Sequence, residues 1–195
     1  MSKPLFCILG ASASGKSTLV QKLEIELNMK QIASYTTRPP RYEGEAGHTF
    51  VTEEEFQSLS DIVAYNYYLD NRYGVTSQQI DDEAHDLYVV DQTGLNELKE
   101  KYKGDRKIYS VYIDCLPLNR YDRLFDRYFK MYQNSLVATN RAMERIKQDE
   151  IEFENCNLVV DYVITNNDNI ETAYDELKNY IQAITKRQDN GNENN

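Results

Sequence analysis

The sequence predicts an α/β fold: a mostly parallel sheet covered by helices on both faces, in three layers. Three observations predict it. Apolar, strand-like runs recur at Leu5–Leu9, Gln31–Tyr35, Leu87–Asp91, Ile108–Ile113 and Val159–Thr165, with helically spaced stretches between them. The first run opens into a glycine-bounded turn and then a helix with Leu19, Leu23 and Leu27 on one face. A length of 195 residues suits one such domain with small insertions.

Taken in order, the first turn is the most informative element. Gly10-Ala11-Ser12-Ala13-Ser14-Gly15-Lys16-Ser17 fits the G-x-x-x-x-G-K-[ST] phosphate loop. The glycines let the backbone curl so that N–H groups point inward at phosphate oxygens, and the free N–H groups of the following helix add to that field. Lys16 would bridge the β- and γ-phosphates, and the Ser17 hydroxyl would ligate Mg²⁺. A plain Gly/Ser-rich helix cap is the alternative, but strand before and helix after favour a nucleoside triphosphate site.

The stretch 34–76 departs from strand–helix alternation. Its short, aromatic-rich, turn-bounded pieces read as a small antiparallel insertion. Arg38 and Arg41 flank the rigid Pro39-Pro40 pair, and forked, permanently charged donors suit the dianion of a monophosphate. Ser34 and Thr36 add hydroxyls. A solvated basic turn is the other reading of Arg38–Arg41, and it loses ground beside a phosphate loop.

The stretch 120–150 carries Arg120, Arg123, Arg127, Arg141 and Arg145 on helical patterns around the polar link Tyr132-Gln133-Asn134-Ser135. Cation-bearing segments that flank a phosphate site behave as lids. Arg123 and Arg127 lie four apart on one helical face, where like charges repel unless an anion sits between them. The last helix is marked by Ile170, Tyr174, Leu177, Ile181 and Ile184, capped by Asp168 or Asn169. Beyond Lys186 the polar residues 187–195 have nothing to bury and are expected to be disordered.

A net charge of −10 argues against a non-specific grip on nucleic acid or an anionic membrane. Cys7, Cys115 and Cys156 have no metal-ligand spacing, which fits a reducing cytosol. No run approaches membrane-spanning length and Met1–Pro4 shows no leader pattern, so a soluble, cytoplasmic protein is expected, as a monomer or weak homodimer.

In these motifs the chain resembles the guanylate kinases, a family of P-loop nucleoside monophosphate kinases. The resemblance rests on Gly10–Ser17, Ser34-Tyr35-Thr36-Thr37-Arg38-Pro39-Pro40-Arg41, Gly44-Glu45, Gly47, Phe50 and Thr52-Glu53-Glu54-Glu55-Phe56. It continues through Tyr73-Gly74, Asp91-Gln92-Thr93-Gly94, Arg123-x-x-x-Arg127, Arg145 and Asn166–Tyr174, so that residues 4–184 are covered in order. It implies a P-loop NTPase core at 1–33, 77–119 and 151–186, an NMP-binding insertion at about 34–76 and a helical lid at about 120–150. ATP would bind at Gly10, Ala11, Ser12, Ala13, Ser14, Gly15, Lys16, Ser17 and Thr18, with Mg²⁺ on Ser17. The acceptor monophosphate would be held by Ser34, Thr36, Arg38, Arg41, His48, Tyr73 and Asp91. Lys16, Arg123, Arg127 and Arg145 would neutralise the phosphoryl group in flight.

Departures from the family pattern gather where the base would sit. Ala64 takes the place of an acidic residue, Val75 of a hydroxyl residue, His48 of a tyrosine, and Val89 of the first acid in a D-x-D pair that keeps Asp91. Asp61, Asn66, Asp70 and Asn71 are nearby polar substitutes, and His48 reads either as a phosphate neighbour or as an idle loop residue. Tyr65, Tyr67 and Tyr68 either stack on a base or pack in the small sheet. The lid is some seven residues longer than the family pattern. The leading expectation is ATP-dependent phosphorylation of GMP, dGMP or a related (d)NMP. The alternatives are a guanylate-kinase-like module that binds phospho-ligands without turnover and a kinase for another phosphorylated small molecule.

Overall fold

A computed structural model describes residues 2–68 and 70–192. The first strand, β1 (Leu5–Leu9), is buried at every position and lies between β6 (Leu87–Val89) and β7 (Ile108–Asp114). All pairings of this sheet are parallel, and β8 (Tyr162–Thr165) completes the order β6-β1-β7-β8. Parallel strands buried on both faces require continuous apolar runs, which is why Leu-Phe-Cys-Ile-Leu reads as it does.

Alternation along β1 divides the core in two. Leu5, Cys7 and Leu9 pack with Ile32, Leu95 and Leu98, the latter two from α4 (Gln92–Lys101). Phe6 and Ile8 face Leu19, Val20 and Leu23 of α1 (Lys16–Leu27) and Ala173, Tyr174, Leu177 and Ile181 of α7 (Ile170–Asn192). The three layers are therefore helix, sheet, helix. From β1 the chain reaches β6 on one side and β7 on the other, so the C-terminal end of β1 is a topological switch point. Ligands of open α/β sheets bind in the crevice at such points.

Two segments leave this core. Between α1 and β6 lie β2 (Ser34–Thr36), β3 (His48–Phe50), α2 (Glu53–Ser58), β4 (Ile62–Tyr68), β5 (Asn71–Thr76) and α3 (Ser77–Asp81). Their strands form a second sheet of order β3-β2-β5-β4. Between β7 and β8, α5 (Pro117–Tyr132) and α6 (Ser135–Glu152) pack as a helical hairpin. Its link has Gln133 in a left-handed C-cap and Asn134 capping α6 at the Val137 N–H.

Three expectations are corrected. The insertion sheet is mixed, because the 37–47 loop returns β3 parallel to β2, while β2–β5 and β4–β5 are antiparallel. The run Gln31–Tyr35 is not a strand of the main sheet. Gln31 makes a single bridge to Leu87, Ile32 N–H bonds Leu87 O, and the chain then crosses into the second sheet at Ser34. The expected disorder from residue 187 gives way to helix as far as Asn192, since extending a formed helix costs far less than nucleating one. The remainder of that predicted tail, 193–195, lies outside the described residues.

Candidate active site

The phosphate loop follows β1 at the switch point, and its glycines are required by space. A Cβ on Gly10 would come within 2.7 Å of both Ile113 O and Ser14 Oγ. Gly15 has φ +100°, and a Cβ there would strike Asn166 Nδ2, which itself donates to Ser14 O at 2.7 Å. The curl buries Ser14 and leaves α1 without a side-chain cap or an acidic residue in its first turn. Its free N–H groups and dipole therefore suit a bound anion.

Lys16 curls back so that Nζ donates to Gly10 O, and to Ala11 O at 2.9 Å. Burial lowers its pKa from 10.5 to about 8, against the opposing pull of Asp149. Ser17 and Thr18 are exposed on the first turn of α1.

The insertion gathers its own cations. Arg38 donates to Glu45 through both Nη atoms, at 3.2 and 2.8 Å, and Glu45 also accepts from Arg41 N–H at 2.7 Å and Arg41 Nη1 at 3.3 Å. Burial pushes the Glu45 carboxyl up, but Arg38 and Arg41 outweigh it and hold it below its usual range. Thr36 is buried and its hydroxyl accepts from Arg38 N–H at 3.2 Å, so it shapes the arginine turn. Ser34 Oγ and His48 Nδ1 are 2.9 Å apart, and the His48 ring packs edge-on against Tyr73. Burial, and then Arg38, push His48 down from 6.5 to about 4.

Register ties this cluster to the main sheet. Tyr73 pairs with Thr36 of β2 and with Asn66 of β4, so the three share one face of the second sheet. Asn66 Nδ2 donates to Asp91 Oδ2 at 2.6 Å, and Asp91 Oδ1 caps α4 at the Gly94 N–H. Ala64 and Val75 pair with each other and are buried in the core, at 1 % and 0 % exposure.

The helical hairpin is docked on the loop. Arg123 donates to Ala13 O at 3.0 Å, and Arg120 Nε to Ser12 O at 3.1 Å. Arg145 contacts Ser12 Oγ and Tyr68 Oη. Arg127 lines an open cavity of about 690 Å³ with Arg123, Asp126, Lys130 and Met131. Burial, then Arg38 and, more weakly, Arg127, weigh against the Arg41 cation.

Two residues of this site escape sequence reasoning in their roles. Asp149 is fully buried among Ser12, Arg120 and Arg145, and Arg120 is its buried partner at 2.9 Å. The available signal was that Asp149 stands four residues after Arg145 on one helix, within ion-pair reach. Glu152 is the other acid near the loop. Burial and then Asp91 raise its pKa from 4.5 to about 7, and its Oε2 is buried without a hydrogen-bond partner among the described residues.

A metal ion here would meet hard oxygen donors. The exposed Ser17 hydroxyl on the first turn of α1 offers oxygen, as Mg²⁺ prefers. Among the described residues no group of three or more His, Cys, Asp or Glu could hold a metal. No helix among the described residues is long and apolar enough to cross a membrane.

The chain is similar to known proteins over nearly its whole length. The family model described as guanylate kinase matches residues 2–184. Guanylate kinase of Neisseria meningitidis serogroup A is 31 % identical over 190 residues, spanning 92 % of this chain and 87 % of that protein. Guanylate kinase of Koribacter versatilis is 30 % identical over 193 residues, spanning 94 % and 79 %. Among solved structures, guanylate kinase from Anaplasma phagocytophilum superposes with a TM-score of 0.62 at 22 % identity, covering 95 % of this chain and 88 % of that one.

Proposed function

This chain belongs to the guanylate kinase family, enzymes that transfer the γ-phosphoryl group of ATP to GMP, and from that premise we propose which of its residues carry the reaction. The observation that supports the assignment most is the convergence of two cation sets. The uncapped loop with Lys16 forms one, and Arg38 and Arg41 on the insertion form the other, joined through their shared Glu45.

Phosphoryl transfer asks the protein for in-line positioning, exclusion of water and charge compensation, and for little covalent chemistry. Residues Gly10–Thr18 cradle the ATP phosphates, and Lys16 leaves the Gly10 and Ala11 carbonyls to meet them. Ser17 would hold Mg²⁺, which when bound offsets charge on the β- and γ-phosphate oxygens. Arg38, Arg41 and Tyr73 hold the acceptor phosphate, with Ser34 keeping the His48 ring oriented beside them. Asp91 faces the base. Arg123, Arg127 and Arg145 compensate the charge of the phosphoryl group between the two nucleotides. An acceptor phosphate oxygen attacks directly, so no general base is needed.

The intact Gly15-Lys16-Ser17 triplet favours turnover over phospho-ligand binding alone. The test is ADP release from Mg·ATP with GMP, dGMP, AMP, dAMP, CMP, dCMP, UMP and dTMP, with Lys16→Ala as control. Turnover concentrated on GMP and dGMP is expected. Absence of turnover on every monophosphate, with ATP still binding, would overturn the reading.

A further inference from the structure

The Asp149 carboxylate is 0 % exposed, accepts three hydrogen bonds from two segments and pairs with Arg145 as well. Ser12 of the loop gives its N–H at 2.8 Å and its hydroxyl at 3.2 Å. Arg120 of α5 gives Nη2 at 2.9 Å, and Arg145, one turn back on α6, forms an ion pair through Nε at 3.0 Å while its Nε–H donates to Ser12 Oγ. A buried carboxylate is tolerable only when paired and hydrogen-bonded in this way.

The arrangement does more than neutralise a charge. Arg145 Nε pairs with Asp149 and donates to Ser12 Oγ, which Asp149 holds in turn; its guanidinium lies over the Tyr68 ring at 4.8 Å, and it also bonds the Tyr68 hydroxyl. Holding Nε fixes the guanidinium plane, so that its Nη groups meet a phosphoryl oxygen from one direction. Because the same carboxylate grips the Ser12 N–H, the position of Arg145 is referred to the phosphate loop itself. We infer that Asp149 is a positioning residue: it locks the lid arginine Arg145 to the phosphate loop in the orientation that phosphoryl transfer needs. This rests on the assignment of Arg145 to charge compensation given above.

A lock of this kind shows in kcat and not in ground-state binding. In Asp149→Asn, kcat is expected to fall about 100-fold, the cost of misplacing a group by about 1 Å, with KM for ATP and GMP changed by less than about threefold. Arg145→Lys should show a similar loss, and the double variant Asp149→Asn/Arg145→Lys should lose little more than either single, because both disable one device. Multiplying losses, or a kcat for Asp149→Asn within about threefold of wild type, would overturn the inference.

A readout independent of turnover is the ¹⁵N signal of Arg145 Nε, identified by its loss in Arg145→Lys. It should shift and exchange faster in Asp149→Asn. An unmoved signal refutes the lock even if kcat falls. A wild-type protein that turns over no monophosphate would refute the functional assignment alone, since the Nε signal would still report the lock. Should Asp149→Asn fail to fold, the paired replacement Arg120→Met/Asp149→Met removes both buried charges. It is expected to fold and to show the same drop in kcat, and wild-type kcat in that protein would overturn the inference.

Discussion

Asn66 donates its side-chain amide to Asp91 Oδ2 at 2.6 Å, joining β4 of the insertion to the end of β6. The pair stands at one end of a row that runs from Thr36 through Tyr73 to Asn66, with Arg38 just beyond Thr36. Neighbouring strands lie about 4.8 Å apart, so two steps across this sheet span about 10 Å, the reach of a nucleotide from phosphate to base. Ala64 and Val75, buried against each other, offer that base no polar group.

Base selectivity should therefore depend on Asn66. In the proposed site the Asp91 carboxylate, oriented by the amide, would accept from the N1–H and 2-amino groups of guanine, and such a charge-assisted pair contributes about 1.5–3 kcal/mol. Asn66→Ala should lower kcat/KM for GMP by about 10- to 100-fold while changing that for IMP, which lacks the amino group, by less. Equal losses for GMP and IMP would remove the amino group from the interaction. Ala64→Glu should not improve GMP use, because its carboxylate would enter the apolar core.

His48 sets a pH window for stability. Its folded pKa is pushed to about 4 from an ordinary 6.5, by burial first and Arg38 second. Above pH 6.5 both folded and unfolded chains hold it neutral, so the full stability is present. As the pH falls from 6.5 to about 4 the unfolded chain takes up the proton first and stability declines. His48→Gln should flatten that part of the profile of Tm against pH, and an unchanged slope would show that His48 titrates normally.

Much of the fold could be read from local pattern, and the failures have physical causes. Tyr174, Leu177 and Ile181 are buried as their spacing requires, and the Gln133-Asn134 link breaks the hairpin helices where polar residues interrupt the pattern. A short apolar run such as Gln31–Tyr35 does not specify which of two sheets it joins. Asp149 went unnoticed for another reason. On α6 it looks like any helical acid, and only the long-range contacts with Ser12 and Arg120 reveal its burial. Ala64 and Val75 are visible in the sequence as departures from the family pattern, but the reach of Asn66 to Asp91 depends on strand register.

Arg106 pins the opposite end of the main sheet from the site. It is 5 % exposed and donates to five backbone carbonyls: Lys3, Ile80, Asp82 and Pro4 at 2.8, 2.7, 3.0 and 3.2 Å, and His85. Arg106→Met keeps the bulk of the stem but leaves these acceptors without their donor. A loss of about 3 kcal/mol is expected: the Ile80 and Pro4 bonds are buried and leave carbonyls unsatisfied at ~1 kcal/mol or more each, while water partly replaces the donor at the other three. For a chain of this size that lowers Tm by about 10 °C, with kcat unchanged at 20 °C. A Tm within about 2 °C of wild type would mean that water replaces the guanidinium at no net cost.

Lys16 gives the site an alkaline limit that ATP should lift. Burial brings its pKa down to about 8 in the unliganded protein, where Nζ rests on the Gly10 and Ala11 carbonyls. A lysine is charged below its pKa, so the free enzyme should lose the cation as pH rises through 8. Bound triphosphate places negative charge beside Nζ and favours the charged form, which moves the pKa upward in the complex. The profile of kcat/KM for ATP should therefore fall above pH 8, whereas kcat, which reports the complex, should stay flat to higher pH. Lys16→Arg, whose guanidinium stays charged, should abolish the alkaline fall in kcat/KM whatever its effect on absolute rate. Parallel alkaline limbs in kcat and kcat/KM for the wild type would place the titrating group elsewhere in the site.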